Sequence, residues 1–214
     1  MKALIWDLDG TLVHSTPDIQ AAANKMLAGL DLAPLDLATI ESFVGNGIPK
    51  LVERCLEVYD LPLNDAAIEA MRVYYDADCT TLTAPYAGVM DCLNAMKARG
   101  IKMAICTNKP LAPAVIILDG LGLSDYFDVV VGGDTYGHHK PHPAPLLGCL
   151  EQLDVDIADC IYIGDSETDA ATASNANMTF ALFEGGYRKT PVAELPHDFS
   201  FDHFDGLTDY LAKA

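Results

Sequence analysis

The sequence predicts a doubly wound α/β core with a helical unit inserted near its start, and three observations carry that prediction. Short apolar runs alternate with helical patterns over most of the 214 residues. One early stretch breaks this alternation and is helical throughout. Polar residues able to do chemistry recur just past the apolar runs, where an open α/β sheet places its ligand site.

The first run, Ala3 to Leu8, ends at Asp7-Leu8-Asp9-Gly10 and reads as a buried strand entering a turn. Similar runs follow at Ile101–Cys106, Val129–Val131, Cys160–Ile163 and Met178–Leu182. Helical patterns lie between them at Val89–Arg99, Pro110–Gly120, Pro143–Leu153 and Thr168–Asn175, mostly closed by Gly or Asn. Strands alternating with helices imply right-handed βαβ units and a parallel sheet covered on both faces. From Pro17 to about Thr81 only helical spacing is visible, as in Ile48, Leu51, Val52, Cys55, Leu56 and Tyr59. The predicted division is therefore a core of residues 1–14 and 85–214 with a helical subdomain at 15–84.

Half of the residues are hydrophobic and mean hydropathy is +0.17, enough apolar material for a buried core. Asp and Glu number 31 against 13 Lys and Arg, a net charge of −18. Such a surface repels phosphate backbones and anionic lipid heads, so nucleic-acid and membrane partners are not expected. It also predicts a substrate on-rate sensitive to salt and to divalent cations. No run reaches the roughly 18 apolar residues of a membrane helix, and Asp7 interrupts the N-terminal run, unlike a signal peptide. The six cysteines form no C-x-x-C pair and read as reduced, buried thiols of a cytoplasmic protein. A monomer and a homodimer suit this surface equally.

Four strand ends carry a coherent set: Asp7-Leu8-Asp9-Gly10-Thr11, Thr107-Asn108-Lys109-Pro110, Gly132-Gly133-Asp134 running on to Lys140-Pro141, and Gly164-Asp165-Ser166. Each alone is an ordinary turn, cap or solvated charge. Together they suggest a site, because alternation along a strand points Asp7 and Asp9 the same way and Asp165 joins them from another strand end. Converging carboxylates repel one another without a cation, and hard oxygen ligands suit Mg²⁺. Thr107, nearby backbone N–H groups and Lys140 add donors and a positive charge. Nucleophile, charge neutralisation and fixed donors are the parts that phosphoryl transfer requires.

These segments, with Gly164-Asp165-Ser166-x-x-Asp169 as the last, resemble the four ordered motifs of the haloacid dehalogenase superfamily, whose core is Rossmann-like. The resemblance spans nearly the whole chain, including a helical cap inserted after the first motif. Within the superfamily, Val44-Gly45-Asn46-Gly47, Thr107-Asn108-Lys109-Pro110 and Lys140-Pro141-His142-Pro143-x-Pro145-Leu146-Leu147 are similar to bacterial phosphoglycolate phosphatases. It implies that Asp7 is the nucleophile and that Asp9 protonates the leaving oxygen and later activates water. It implies Asp7, Asp9 (through its carbonyl) and Asp165 as metal ligands, Asp169 behind them, and Thr107, Asn108 and Lys140 on the phosphoryl oxygens. Dehalogenases of this fold lack the second aspartate, since a departing halide needs no proton; Asp9 therefore excludes that branch.

The resemblance thus implies a Mg²⁺-dependent phosphomonoesterase acting on a small phosphorylated metabolite, with 2-phosphoglycolate the preferred substrate. A broad sugar-phosphate or nucleotide phosphatase and a phosphomutase share the chemistry; a catalytically silent binding relative is the alternative of another class. In the cap, Gly45, Asn46 and Gly47 open a helix whose N–H groups suit a substrate carboxylate, with Lys50 and Arg54 as partners in that helix or as plain surface charges. His14 stands near the expected hinge where many relatives carry an acid. His138, His139 and His142 flank Lys140 without the organisation of a soft-metal site, and Arg188 is placed at the site rim.

Overall fold

A computed structural model describes residues 1–213. In chain order its elements are β1 (Ala3–Trp6), β2 (Val13–His14), α1 (Thr16–Ala28), α2 (Leu37–Glu41), α3 (Gly47–Glu57), α4 (Asp65–Ala77), β3 (Ala84–Pro85), α5 (Val89–Ala98), β4 (Lys102–Cys106), α6 (Leu111–Gly120), β5 (Val129–Val131), α7 (Ala144–Leu153), β6 (Cys160–Gly164), α8 (Glu167–Ala176), β7 (Thr179–Phe183), β8 (Phe199–Phe201) and α9 (Phe204–Lys213). The chain divides into two compact units, Met1–His14 with Pro85–Ala214, and Ser15–Ala84.

In the first unit, six strands form one sheet in the order β5-β4-β1-β6-β7-β8, with parallel pairing throughout. This is the α/β class that the alternating runs predict. The four residues of β1, Ala-Leu-Ile-Trp, and the five of β6, Cys-Ile-Tyr-Ile-Gly, are all buried, because helices cover both faces of a central parallel strand. Register aligns the ends that matter: Trp6 lies opposite Ile105 on one side and Ile163 on the other. Asp7, Cys106 and Gly164 therefore follow at one level, with the Asp7 N–H donating to Ile163 O at 2.8 Å. The sequence order runs outward from β1 in both directions, so the crevice at these carboxyl ends is the topological switch point.

The sheet is one strand wider than the five runs suggest. Phe199–Phe201 adds β8, and α9 follows, stacking Tyr210 on Phe199 at 4.1 Å between ring centroids. Phe204 of α9 also stacks on Trp6, centroids 6.4 Å apart. All six cysteines are buried and unpaired.

The second unit consists of α1 to α4. Asp36 caps α2 by accepting the Thr39 N–H at 2.7 Å, and Asn64 caps α4 by accepting the Ala67 N–H at 2.9 Å. Leu51, Val52, Cys55 and Leu56 form the buried stripe of α3, while Ile48 and Tyr59 at its margins are half-buried. Asp18 is the unit's buried carboxylate. It accepts the N–H groups of Leu82 and Thr83 at 3.0 and 2.8 Å and the Thr83 hydroxyl at 2.7 Å, joining the two ends of the unit. Among the described residues no helix is long and apolar enough to cross a membrane.

Candidate active site

The site is built from the loops that leave β1, β4, β5, β6 and β7. Asp7, Asp165 and Asp169 each offer a carboxylate oxygen within 4.8 Å of the others, and all three are buried. Each is held differently. Asp165 is gripped at both oxygens, Oδ1 by the Thr11 hydroxyl at 2.7 Å and Oδ2 by the Tyr187 N–H at 2.7 Å. Backbone crowds around it: a Cβ on Gly10, where φ is +85°, would lie 2.6 Å from Asp165 Oδ2, and one on Gly186 would overlap the Asp165 side chain. The absence of side chains at these two glycines leaves the room that the Asp165 carboxylate occupies.

Asp169 is saturated with donors. Its Oδ1 accepts from Lys140 Nζ at 2.7 Å and from the Tyr162 hydroxyl at 2.5 Å. Its Oδ2 accepts from the Ser166 hydroxyl at 2.6 Å and from the Ser166 and Asp165 N–H groups at 3.1 and 3.2 Å. Ser166 and Asp169 also form the capping box of α8, so the helix start and the site are fixed by the same side chain. With five donors, Asp169 lacks an open lone pair for a metal, and its position suits a supporting role behind Asp165 and Lys140.

Asp7 is the least satisfied of the three. Its Oδ1 lies 2.8 Å from Lys140 Nζ, yet no donor is aligned on this buried oxygen for a hydrogen bond. Burial pushes the Asp7 carboxyl up to about 7, the Asp169 charge pushes the same way, and Lys140 opposes them. Burial, then Asp169 and Asp7, raise Asp165 well above the carboxylate range despite its two donors. Asp169 stays below its ordinary value: burial disfavours its charge, but the Lys140 ammonium and the Ser166 and Tyr162 hydroxyls outweigh it. Burial likewise works against the Lys140 ammonium, and Asp169 and Asp7 outweigh it and hold the lysine charged.

A buried Asp7 oxygen faced by Lys140 without an aligned hydrogen bond, a gripped Asp165 and two carboxyls forced toward their neutral forms fit a hard divalent cation, which would restore both to the ionised state. Asp7 and Asp165 are the side chains that would hold it.

Thr107 and Asn108 follow β4, and their two side chains are held in different ways. Thr107 Oγ1 accepts the Lys109 N–H at 3.2 Å, which leaves its hydroxyl proton to be donated toward the site. The Asn108 amide is committed to the Lys140 backbone, donating to its carbonyl at 3.1 Å and accepting its N–H at 2.8 Å. Asn108 therefore aligns the lysine-bearing loop through its side chain.

Two partners escaped the sequence reading. Lys109, 6% exposed at its side chain, reaches Asp9, 15% exposed, with Nζ 2.9 and 2.8 Å from the two carboxylate oxygens. Tyr162 donates to Asp169 and accepts from Lys140 Nζ at 2.9 Å. A tyrosine amid the apolar residues of β6 was the available signal, since a buried phenol needs a polar partner.

The remaining candidates lie apart from this set. In the helical unit, Gly45 and Gly47 take positive φ of 115° and 80°, bracketing Asn46 at the start of α3. Arg54 braces that loop, donating to Phe43 O at 2.7 Å and to Asn46 Oδ1 at 3.1 Å. Lys50 pairs with Glu53 on the helix surface. In the core unit, His14 Nδ1 lies 3.2 Å from the Tyr187 hydroxyl, and His138 stacks on His142 with centroids 3.9 Å apart. Arg188 turns back to the carbonyl of Glu184 in its own loop.

A parallel sheet whose switch point gathers two aspartates, a lysine and a third aspartate from successive strand ends defines a class, and the family model for haloacid dehalogenase-like hydrolases matches residues 1–177. The chain belongs to that family. Among curated proteins it is 44% identical to the phosphoglycolate phosphatase of Cereibacter sphaeroides strain ATCC 17029, covering 100% of this chain and 99% of the relative. It is also 44% identical to that of Rhodospirillum rubrum, covering 98% and 90%. The crystal structure of a predicted phosphoglycolate phosphatase from Haemophilus somnus 129PT superposes with a TM-score of 0.92 at 27% identity, covering 99% of this chain and 98% of the other. The chain is a phosphatase of the haloacid dehalogenase-like hydrolases.

Proposed function

We propose that this phosphatase is Mg²⁺-dependent and hydrolyses 2-phosphoglycolate to glycolate and phosphate through a phosphorylated Asp7. The observation that carries the chemistry is Asp7 itself, buried at the switch point with an unsatisfied oxygen 2.8 Å from Lys140 and with Asp165 beside it. The substrate rests on the names of the full-length relatives.

In the first half-reaction an Asp7 oxygen attacks phosphorus, the bond from phosphorus to the glycolate oxygen breaks, and Asp9 gives that oxygen its proton. In the second, water attacks the same phosphorus, Asp9 takes the water's proton, and the bond to Asp7 breaks to release phosphate. Lys140 and the Thr107 hydroxyl hold the phosphoryl oxygens, with Asn108 and Asp169 keeping Lys140 in place. Bound Mg²⁺ supplies neutralisation of the Asp7 and Asp165 charges and of the charge that develops on the phosphoryl group.

The test is turnover of 2-phosphoglycolate beside hexose phosphates and nucleoside monophosphates, with Mg²⁺ and with EDTA. Selective, Mg²⁺-dependent release of phosphate from 2-phosphoglycolate is expected. Equally low rates across the panel would overturn the substrate, and full activity in EDTA would overturn the metal.

A further inference from the structure

The ion pair between Lys109 and Asp9 is one of the most enclosed in the core unit, and the chemistry proposed above gives Lys109 no part. Both partners follow strand ends, Asp9 two residues beyond Asp7 and Lys109 two beyond Thr107, and β1 and β4 are neighbours in the sheet. The ion pair therefore joins the loops that leave these two neighbouring strands. The ammonium spans both Asp9 oxygens, at 2.9 and 2.8 Å, and its backbone is pinned twice: Lys109 N–H donates to Thr107 Oγ1, and Lys109 O accepts the Gly133 N–H at 2.8 Å.

Held at both oxygens, the carboxylate cannot rotate freely. A general base acts only from within hydrogen-bond reach of the water it activates, and a carboxylate on a short, otherwise mobile side chain spends much of its time misdirected. We propose that Lys109 is a positioning residue for Asp9, fixing its carboxylate for activation of the water that cleaves the phosphorylated Asp7. The inference rests on the reading of Asp9 as that base.

An aryl phosphate separates the two half-reactions, because p-nitrophenolate leaves without needing a proton and only the second step then requires Asp9. With p-nitrophenyl phosphate and Mg²⁺, Lys109→Met and Lys109→Gln are expected to show a burst of about one p-nitrophenol per site. The burst would be followed by kcat reduced at least about 10-fold, within the range a misplaced general base loses. The value of kcat/KM, which reports the first step, should stay within about 2-fold, and Lys109→Arg should recover most of kcat. A merely structural lysine would lower kcat/KM with kcat and give no burst, and the burst itself certifies a folded site. An unchanged or increased kcat, or a kcat lost without a burst, would overturn the proposal. Asp9→Asn is the control for the reading beneath it. If that variant shows no burst and no loss of kcat, the assignment of Asp9 as base fails; if it shows both and the Lys109 variants show neither, only the role of Lys109 fails.

Discussion

The two units treat charge in opposite ways. In the α/β unit Asp7, Lys109, Lys140, Asp165 and Asp169 are all buried, and the two lysines reach carboxylates across long sequence separations. In the helical unit the ion pairs are local or exposed, as in Lys50 with Glu53 and Lys25 with Asp78. Its buried carboxylate, Asp18, is spent on the unit's own N–H groups and a hydroxyl. Desolvated charges that are incompletely compensated, such as Asp7, are primed to react, whereas fully bonded or solvated ones hold structure or meet ligands at low cost.

Lys140 is the buried charge whose loss should cost most. Lys140→Met strips the charge partner from Asp7 and Asp169 together. Activity is expected to fall about 10²- to 10³-fold or more, the scale of a lost charge-stabilising donor. Stability should fall by about 3 kcal/mol, as when one member of a buried ion pair is removed. Steady-state kinetics and urea unfolding measure both. An exposed lysine of the helical unit, Lys50, should change stability by less than about 0.5 kcal/mol under the same treatment.

A pH series sharpens the contrast next. Asp7 is raised from 3.8 to about 7 by burial and by Asp169, so between these values the folded protein binds a proton that the unfolded chain has released. Stability in EDTA should therefore decline as pH rises from about 4 to 7, with Asp165 adding in the same direction. Mg²⁺ should flatten or reverse that slope, because a cation favours the ionised carboxylates. Thermal unfolding across pH with EDTA and with Mg²⁺ measures it, and identical slopes in the two series would count against a metal at Asp7 and Asp165.

A smaller effect than at Lys140 is expected at Arg54. Arg54→Gln removes the brace from the Asn46 loop while leaving the core site intact. Stability should fall by about 1 kcal/mol, the scale of hydrogen bonds given by a charged group, while the kinetics of p-nitrophenyl phosphate should be nearly unchanged. Urea unfolding and steady-state kinetics measure both, and an unchanged stability would show that the brace contributes nothing.

Much of this was legible in sequence because parallel strands announce themselves as uninterrupted apolar runs and the site residues stand directly after them. β1 and β6 are of this kind, and Asp7, Thr107 and Asp165 follow such runs at the level that the register sets. The sixth strand was not legible: Phe199–Phe201 is three residues long, follows a Pro-His-Asp loop, and sits at the sheet edge, where a short alternating run resembles loop. α9 did carry a 3–4 pattern in Phe204, Leu207 and Leu211. Lys109 stands within the Thr107-Asn108-Lys109-Pro110 motif, but a charge sign cannot say which carboxylate it will meet. The Asn108 amide pairs with the Lys140 backbone across 32 residues, which no local pattern encodes.

A nucleophilic Asp7 must itself carry the phosphoryl group during turnover. Acid quench of the Mg²⁺ enzyme within a single turnover, followed by peptide mass analysis, tests it directly. The expected result is one acid-stable, base-labile phosphoryl group on Asp7, absent from Asp7→Asn, whose turnover should be lost by at least about 10⁴-fold as for other covalent nucleophiles. A phosphoryl group on another residue, or an Asp7→Asn enzyme that still turns over at the wild-type rate, would contradict it.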